Sequence, residues 1–164
     1  MKKRGLLITV LVTGMLLVKA QAPDSLDYYA QHLDDTVTIN RLINLCFLSR
    51  DAQASRCISY SQLALEASRR QNFPIGEARS LINIGSAETI RGNYAVALQN
   101  YFDAIGIWEK INNARGILLA KNNIAEVYGY LKKPGLQFQY LSEARSMALQ
   151  HNMKDELALI NQNF

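Results

Sequence analysis

Asn83-Ile84-Gly85 and Asn123-Ile124-Ala125 are near copies of each other and lie forty residues apart in the chain. The same offset pairs Gly76 with Gly116, so the similarity extends beyond the two triplets. A period of this length is typical of stacked supersecondary units, each of which packs against its neighbours. The repeat therefore predicts a stack of similar units rather than one globular core, and the units look like helix pairs.

Apolar residues at helical spacing, separated by breaks rich in Asn, Gly and Pro, divide the chain into helices. Asn72-Phe73-Pro74 ends one helix and starts another, because proline is tolerated in the first helical turn. Gly92-Asn93 and Asn112-Asn113 end later helices. The absence of an alternating strand pattern predicts an all-α fold. The predicted helices begin near Thr36, Ala54, Pro74, Tyr94, Arg115, Pro134 and Lys154.

The first twenty residues have the layout of a secretory signal peptide. Basic residues at positions 2–4 precede an apolar run over residues 6–18, and small residues follow at Ala20 and Ala22. The alternative is an uncleaved anchor, but a run of this length at about 1.5 Å per residue makes roughly 20 Å, short of a hydrocarbon core of roughly 30 Å. We therefore predict an exported protein, which would be periplasmic in a Gram-negative bacterium.

Removal of the predicted signal peptide changes the charge of the protein. The full chain carries eighteen Lys and Arg against fourteen Asp and Glu, a formal net charge of +4. Residues 1–20 contain four of these basic residues and none of the acidic ones, so the exported chain is formally neutral. A neutral chain with scattered charges lacks the electrostatic footprint of nucleic-acid binding, and we expect no nucleic-acid partner and no membrane insertion after cleavage.

The helix pairs resemble the tetratricopeptide repeat (TPR). In that family the first helix carries a large apolar residue, then Leu-Gly and Tyr, and the second helix carries Ala and an aromatic residue. The chain looks similar to exported bacterial arrays of this type with a period of forty, which is longer than the common period of about 34. The matching residues are Leu81, Ile84-Gly85, Glu88, Ala97 and Tyr101 in the middle repeat; Lys121, Ile124-Ala125, Tyr128, Gln137 and Leu141 in the third; and Leu42, Leu45-Cys46, Ser49, Cys57 and Ser61 in the more degenerate first.

The resemblance covers nearly all of the chain after the signal peptide. It implies a TPR-like α-α superhelix of about three helix pairs and a terminal helix. We expect a lead-in segment over residues 21–35 and a repeat domain over residues 36–164. The predicted repeats are residues 37–73, 74–113 and 114–153, with a partial fourth over residues 154–164.

The resemblance also implies a binding surface, because such stacks hold peptides or proteins on the concave face lined by the first helix of each repeat. The leading interpretation is a non-enzymatic scaffold for a protein or peptide of unknown identity. The alternative is the exported sensory region of a signalling protein, of histidine kinase or transcriptional regulator type. The residues that match groove-facing positions of the family are Arg79, Ile82, Ser86, Thr89, Leu119, Asn122, Glu126 and Tyr130.

Cys46 and Cys57 match the two small positions at which the paired helices of a repeat touch, the counterparts of Gly85 and Ala97. An exported chain meets an oxidising compartment, so the match implies a disulfide. Two buried thiols that pack as small hydrophobes are the alternative.

No motif in the sequence indicates catalysis. His32 and His151 have no further ligand at metal-binding spacing, and no phosphate-binding loop or nucleophile elbow is present. Acidic pairs such as Asp155-Glu156 lie at predicted helix starts, where they complement the helix dipole. We therefore expect no enzymatic activity, no cofactor and no metal.

Export generates the first testable prediction. After expression in a Gram-negative host, the mature protein should begin within two residues of Gln21, because Val18 and Ala20 satisfy the small-residue rule for cleavage. Amino-terminal sequencing and intact mass measure this directly. Recovery of the chain from a membrane fraction with Met1 to Ala20 still attached would show that the apolar run is an anchor.

Overall fold

The computed structural model describes residues 33, 35–49 and 54–164 of the chain. The predicted signal peptide and nearly all of the predicted lead-in segment lie outside these residues. Within the described ranges, no helix is both long enough and apolar enough to cross a membrane.

The described residues form seven helices and no strand. The all-α fold of three helix pairs and a terminal helix is confirmed. The helix starts agree with those expected from the sequence, apart from a shift of one residue at Ala114. The helices are α1 (Thr36–Ser49), α2 (Ala54–Arg70), α3 (Pro74–Ile90), α4 (Tyr94–Lys110), α5 (Ala114–Tyr130), α6 (Pro134–Gln150) and α7 (Lys154–Asn161).

Helices α2 to α6 share one length and one kind of connection. Each contains 17 residues, and a three-residue turn leads to the next helix. One helix and one turn therefore fill twenty residues, and the forty-residue repeat of the sequence is two such units. Because short turns place neighbouring helices antiparallel, the odd-numbered helices run together along one side of the stack. Contacts between α1 and α3 and between α3 and α5 agree with this arrangement.

Each of the five turns between α2 and α7 contains one residue in the left-handed backbone region. The turn after α3 shows the geometry: Gly92 has φ of 79°, its amide donates to the carbonyl of Thr89, and the amide of Asn93 donates to the carbonyl of Glu88. This is the Schellman arrangement, which satisfies the last carbonyls of the helix. The other left-handed residues have φ between 50° and 54° and follow at twenty-residue intervals; they are Asn72, Asn112, Lys132 and Asn152.

Glycines let large side chains cross between helices. A Cβ atom built on Gly116 would lie 2.5 Å from the indole ring of Trp108. A Cβ atom on Gly85 would lie 2.6 Å from the ring of Tyr101. The sequence predicted that the helices of this pair approach closely at Gly85 and Ala97, the two small positions. The first side chain over Gly85 is Tyr101, because helical side chains lean toward the helix amino terminus and cover the turn before their own Cα.

Cys46 of α1 and Cys57 of α2 are fully buried and are joined through their sulfur atoms, with Cα atoms 4.2 Å apart. They lie in a cluster that also contains Ile39, Leu42 and Ala64. The bond links the two helices of the first pair, whose sequence matches the repeat pattern least well.

At the other end of the stack, α7 packs against α6 through Ile160, which is fully buried. The carboxylate of Glu156 accepts a hydrogen bond from Nε of Arg115, at the start of α5, and forms an ion pair with it. Phe164, which follows the helix, contacts the Phe138 ring edge-on at 5.6 Å and remains 53% exposed.

The turn geometry generates a stability prediction. Lys132 is a side-chain-bearing residue with φ of 54°, a conformation that costs an L-residue about 1–2 kcal/mol. Lys132→Gly should therefore stabilise the protein by about 0.5–1 kcal/mol after the added freedom of glycine in the unfolded chain is subtracted. Gly92→Lys should destabilise the protein by a similar amount. Urea denaturation of both variants measures the effect.

Lys133→Gly is the matched control for this experiment. Lys133 is the next residue, with φ of −112°, and it gains nothing from glycine. Equal changes in the free energy of unfolding for Lys132→Gly and Lys133→Gly would contradict the argument from backbone strain.

Candidate binding groove

The odd-numbered helices line two neighbouring cavities. All eight residues expected at the groove contribute to one or the other. The first cavity lies between α1, α3 and α5 and has a volume of about 360 Å³. The second lies between α3, α5 and α7 and has a volume of about 530 Å³. Arg79, Ile82 and Leu119 line the first cavity, whereas Ser86, Thr89, Asn122, Glu126 and Tyr130 line the second.

The first cavity combines apolar walls with one cationic group. Arg79 donates from Nη1 to Oδ1 of Asn40 at 2.9 Å and from Nη2 to Oδ1 of Asn44 at 3.0 Å. These neutral acceptors orient the guanidinium without neutralising it. Partial burial lowers the pKa of Arg79 below its usual value, and the group stays protonated at physiological pH because that value is so high. Ile43, Ile82, Leu119 and the ring of Trp108 supply apolar surface around it.

The floor of the second cavity is rich in hydroxyl groups. The Tyr101 hydroxyl donates to Ser86 Oγ at 3.2 Å and lies 3.3 Å from Thr89 Oγ1. Tyr101 belongs to α4, in the other layer of helices, and its ring crosses over Gly85 to bring this hydroxyl to the groove. Thr89 Oγ1 also donates to the carbonyl of Gly85 at 2.9 Å. A cluster of hydroxyls can offer both donors and acceptors to a ligand.

The rim of the second cavity is apolar and exposed. Ile90 is 49% exposed, Tyr130 is 55% exposed and Leu159 is 41% exposed. The Tyr130 ring stacks on Tyr94 with ring centroids 5.8 Å apart. Its hydroxyl donates to Glu126 Oε1 at 3.1 Å, and the negative charge of Glu126 raises the pKa of Tyr130. Tyr130 is therefore neutral at physiological pH and presents an oriented aromatic surface.

Helix α7 and the residues after it form the wall at the far end of the groove. Asn163 Nδ2 donates to Asn122 Oδ1 at 2.9 Å. The pKa of Glu156 is lowered by a hydrogen bond from its own backbone amide and then by the Arg115 side chain. Because that carboxylate is ionised at neutral pH, the ion pair with Arg115 is present when the wall is formed.

Several lining residues were not predicted, and the repeat pattern contained the signal for some of them. Leu159 lies forty residues after Leu119, and Ile90 lies forty residues before Tyr130. Ile43 lies thirty-nine residues before Ile82, which allows for the residue missing from the first repeat. Tyr101 and Trp108 of α4 lie on one helical stripe with Ile105, which was assigned to the core in preference to an aromatic ligand site. Both residues are buried and also line a cavity.

The two cavities offer hydrogen bonds, one cation and apolar contact. Among the described residues, no group of three or more His, Cys, Asp or Glu side chains is arranged to hold a metal ion. The arrangement is therefore suited to binding a ligand, with specificity set by a few polar groups on an apolar wall.

Antiparallel helix pairs, with small residues where the helices touch and a groove along the first helices, give the described residues the fold of a TPR-type helical repeat. The TPR domain of Arabidopsis FLU, a solved structure, superposes on the chain with a TM-score of 0.64. The match covers 74% of this chain and 98% of that domain at 16% sequence identity. The fold that the sequence predicted is therefore confirmed. No protein-family model and no curated protein matches the chain.

The contact beneath Tyr101 generates a prediction about the groove floor. Gly85→Ala places a methyl group against the buried Tyr101 ring and should destabilise the protein by about 1–3 kcal/mol, despite the better helix propensity of alanine. Gly106→Ala is the control, because a Cβ atom there meets nothing within 4 Å. That variant should be stabilised by up to about 1 kcal/mol. Thermal denaturation measures both changes.

Tyr101→Leu should relieve the effect of Gly85→Ala. The third repeat already carries this combination, Ala125 with Leu141, at the equivalent positions. A double-mutant cycle should therefore give a favourable coupling of the two substitutions. Additive effects would mean that Gly85 and Tyr101 do not constrain each other.

Proposed function

We propose that the protein is a non-enzymatic scaffold that binds a protein or an extended peptide along the groove formed by α1, α3, α5 and α7. The observation that carries this proposal is the placement of all eight expected groove residues around two adjoining cavities. The cavities alternate apolar surface with hydrogen-bonding groups, which suits a chain that presents both side chains and backbone amides.

The second cavity is the part of the groove best suited to a peptide. Its floor pairs the Ser86, Thr89 and Tyr101 hydroxyls, and these groups can exchange their mutual hydrogen bonds for bonds to a peptide backbone. Tyr130 is exposed at the rim and held by its contact with Tyr94. An aromatic side chain that is already oriented loses little conformational entropy on binding, which is why such residues often dominate binding energy.

We further propose that the partner is met after export. The basic start and short apolar run of residues 1–20 support this. The joined pair Cys46 and Cys57 is also typical of a protein that works in an oxidising compartment.

Selection from a random peptide library on the purified protein tests the scaffold proposal. The dissociation constant of each selected peptide should rise about tenfold or more in Tyr130→Ala, because truncation of an aromatic hot spot commonly has that effect. Phe102→Ala is the matched control, since Phe102 is a 40% exposed aromatic residue that lines neither cavity.

Two results would contradict the proposal. One is a set of selected peptides that loses affinity for Phe102→Ala but not for Tyr130→Ala, which would move the binding surface to α4. The other is a failure to enrich any peptide whose binding depends on a residue of the groove.

A further inference from the structure

The first cavity contains a cation that lacks a counter-charge among the described residues. Arg79 makes its hydrogen bonds to two asparagine oxygens, and none of the ion pairs in the described part of the chain includes it. Removing part of the hydration of a charge is costly unless an opposite charge replaces it. Burial accordingly lowers the pKa of this guanidinium. An anion that binds beside Arg79 would therefore stabilise the charged form of this partly buried guanidinium.

The geometry of Arg79 leaves donors available for such an anion. A guanidinium carries five N–H groups in a planar fork. Asn40 and Asn44 accept two hydrogen bonds, one at each terminal nitrogen, so the remaining donors are unused by the described residues. Both asparagines come from α1, and they restrain the fork from one side. A fork restrained in this way is suited to a planar carboxylate, which it can bind through two parallel hydrogen bonds.

Beside Arg79 and the side chains of Asn44 and Asn83, the cavity wall is mostly apolar. Ile43, Ile82, Leu119 and Trp108 surround a space of about 360 Å³. This volume falls in the range of small-molecule sites and corresponds to roughly a dozen water molecules. An inorganic anion on Arg79 would leave most of this apolar wall in contact with water. A ligand that joins a carboxylate to an apolar body would cover the wall and the charge together.

Trp108 lines this cavity and provides a spectroscopic probe. The residue is only 4% exposed, and its indole Nε1 is buried without a hydrogen-bond partner among the described residues. It is the single tryptophan of the chain. Its fluorescence therefore reports on this cavity alone.

We propose that the first cavity is a binding site for a small carboxylate with an apolar body, whose carboxylate pairs with Arg79 and whose body lies against Ile82, Leu119 and Trp108. The site goes beyond peptide binding, because a ligand of this size occupies the cavity without any peptide in the groove. Either proposal can fail while the other stands, since the second cavity contains neither Arg79 nor Trp108.

Titration of the purified protein with octanoate, followed by Trp108 fluorescence, tests the site. The expected result is a saturable change in fluorescence. Octan-1-ol, which has the same apolar body and no charge, should bind at least about tenfold more weakly, as expected for the loss of a charge-assisted bidentate contact. Equal affinities for the acid and the alcohol would overturn the assignment of the carboxylate to Arg79.

Two variants test the role of Arg79. Arg79→Gln should weaken octanoate binding at least about tenfold and leave octan-1-ol binding nearly unchanged. Asn44→Asp provides a test that does not depend on removing the arginine. Asn44 is exposed, and its oxygen already accepts from Arg79, so an aspartate there supplies an internal carboxylate in the same place without disturbing the fold.

Asn44→Asp should therefore lose octanoate binding to a similar extent. Gln62→Glu introduces the same change of charge at an exposed position of α2 away from the cavity, and it should bind octanoate as the parent does. Octanoate binding that survives Asn44→Asp, or that falls equally in Gln62→Glu, would overturn the proposal. Failure to observe any saturable change with octanoate would overturn it as well.

Discussion

The left-handed residue that recurs every twenty positions is the constraint on which the rest of the structure depends. Because the chain reverses direction within three residues at each of these turns, the equally long helices α2 to α6 are laid side by side and the odd-numbered helices share one face. A shift of one residue in any turn would rotate the next helix by about 100°, since a helix has 3.6 residues per turn. Its apolar stripe and its groove residues would then face the wrong way. The groove is therefore a product of turn geometry as much as of the residues that line it.

Glycines at the helix contacts allow large aromatic side chains to reach the groove from the neighbouring helix. Gly85 and Gly116 each lie beneath an aromatic ring of α4. Tyr101 crosses over the first glycine to place its hydroxyl in the second cavity, whereas Trp108 covers the second glycine and lines the first cavity. Helix α4 thus contributes a hydroxyl group and an indole ring to a groove that is formed mainly by the odd-numbered helices. Tyr101 and Trp108 therefore each belong both to the core and to the wall of a cavity.

The fold could be predicted from the sequence because its signals are local and repeated. Asn, Gly and Pro at the turns set the helix ends, and the forty-residue repeat showed that the helices pair in a regular way. The eight groove residues could be placed because the first helices of different repeats present equivalent positions to one side. Two kinds of detail could not be predicted. The contact of the Tyr101 ring with Gly85 depends on the direction in which that side chain leans, and the contacts of Arg79 depend on a long side chain that reaches a helix of another repeat.

The asparagines that reveal the repeat also explain how successive repeats are joined. Asn83 donates from Nδ2 to the carbonyl of Ile43 at 2.9 Å, forty residues earlier in the chain. Asn163, which follows α7, donates from Nδ2 to the side-chain oxygen of Asn122 in α5 and so joins the end of the chain to the preceding repeat. In a stack, stability is a sum of repeat terms and interface terms, so each bond of this kind contributes to one interface.

The last of these interfaces differs from the others. Ile84 and Ile124 follow their asparagines and are buried, whereas Phe164 follows Asn163 and stays half exposed, since it contacts only one side of the stack. The wall that α7 contributes to the groove therefore depends mainly on Ile160, the asparagine contact and the pair between Glu156 and Arg115. With so few contacts, this end of the groove should open at a lower free-energy cost than the pairs formed by α3, α4 and α5.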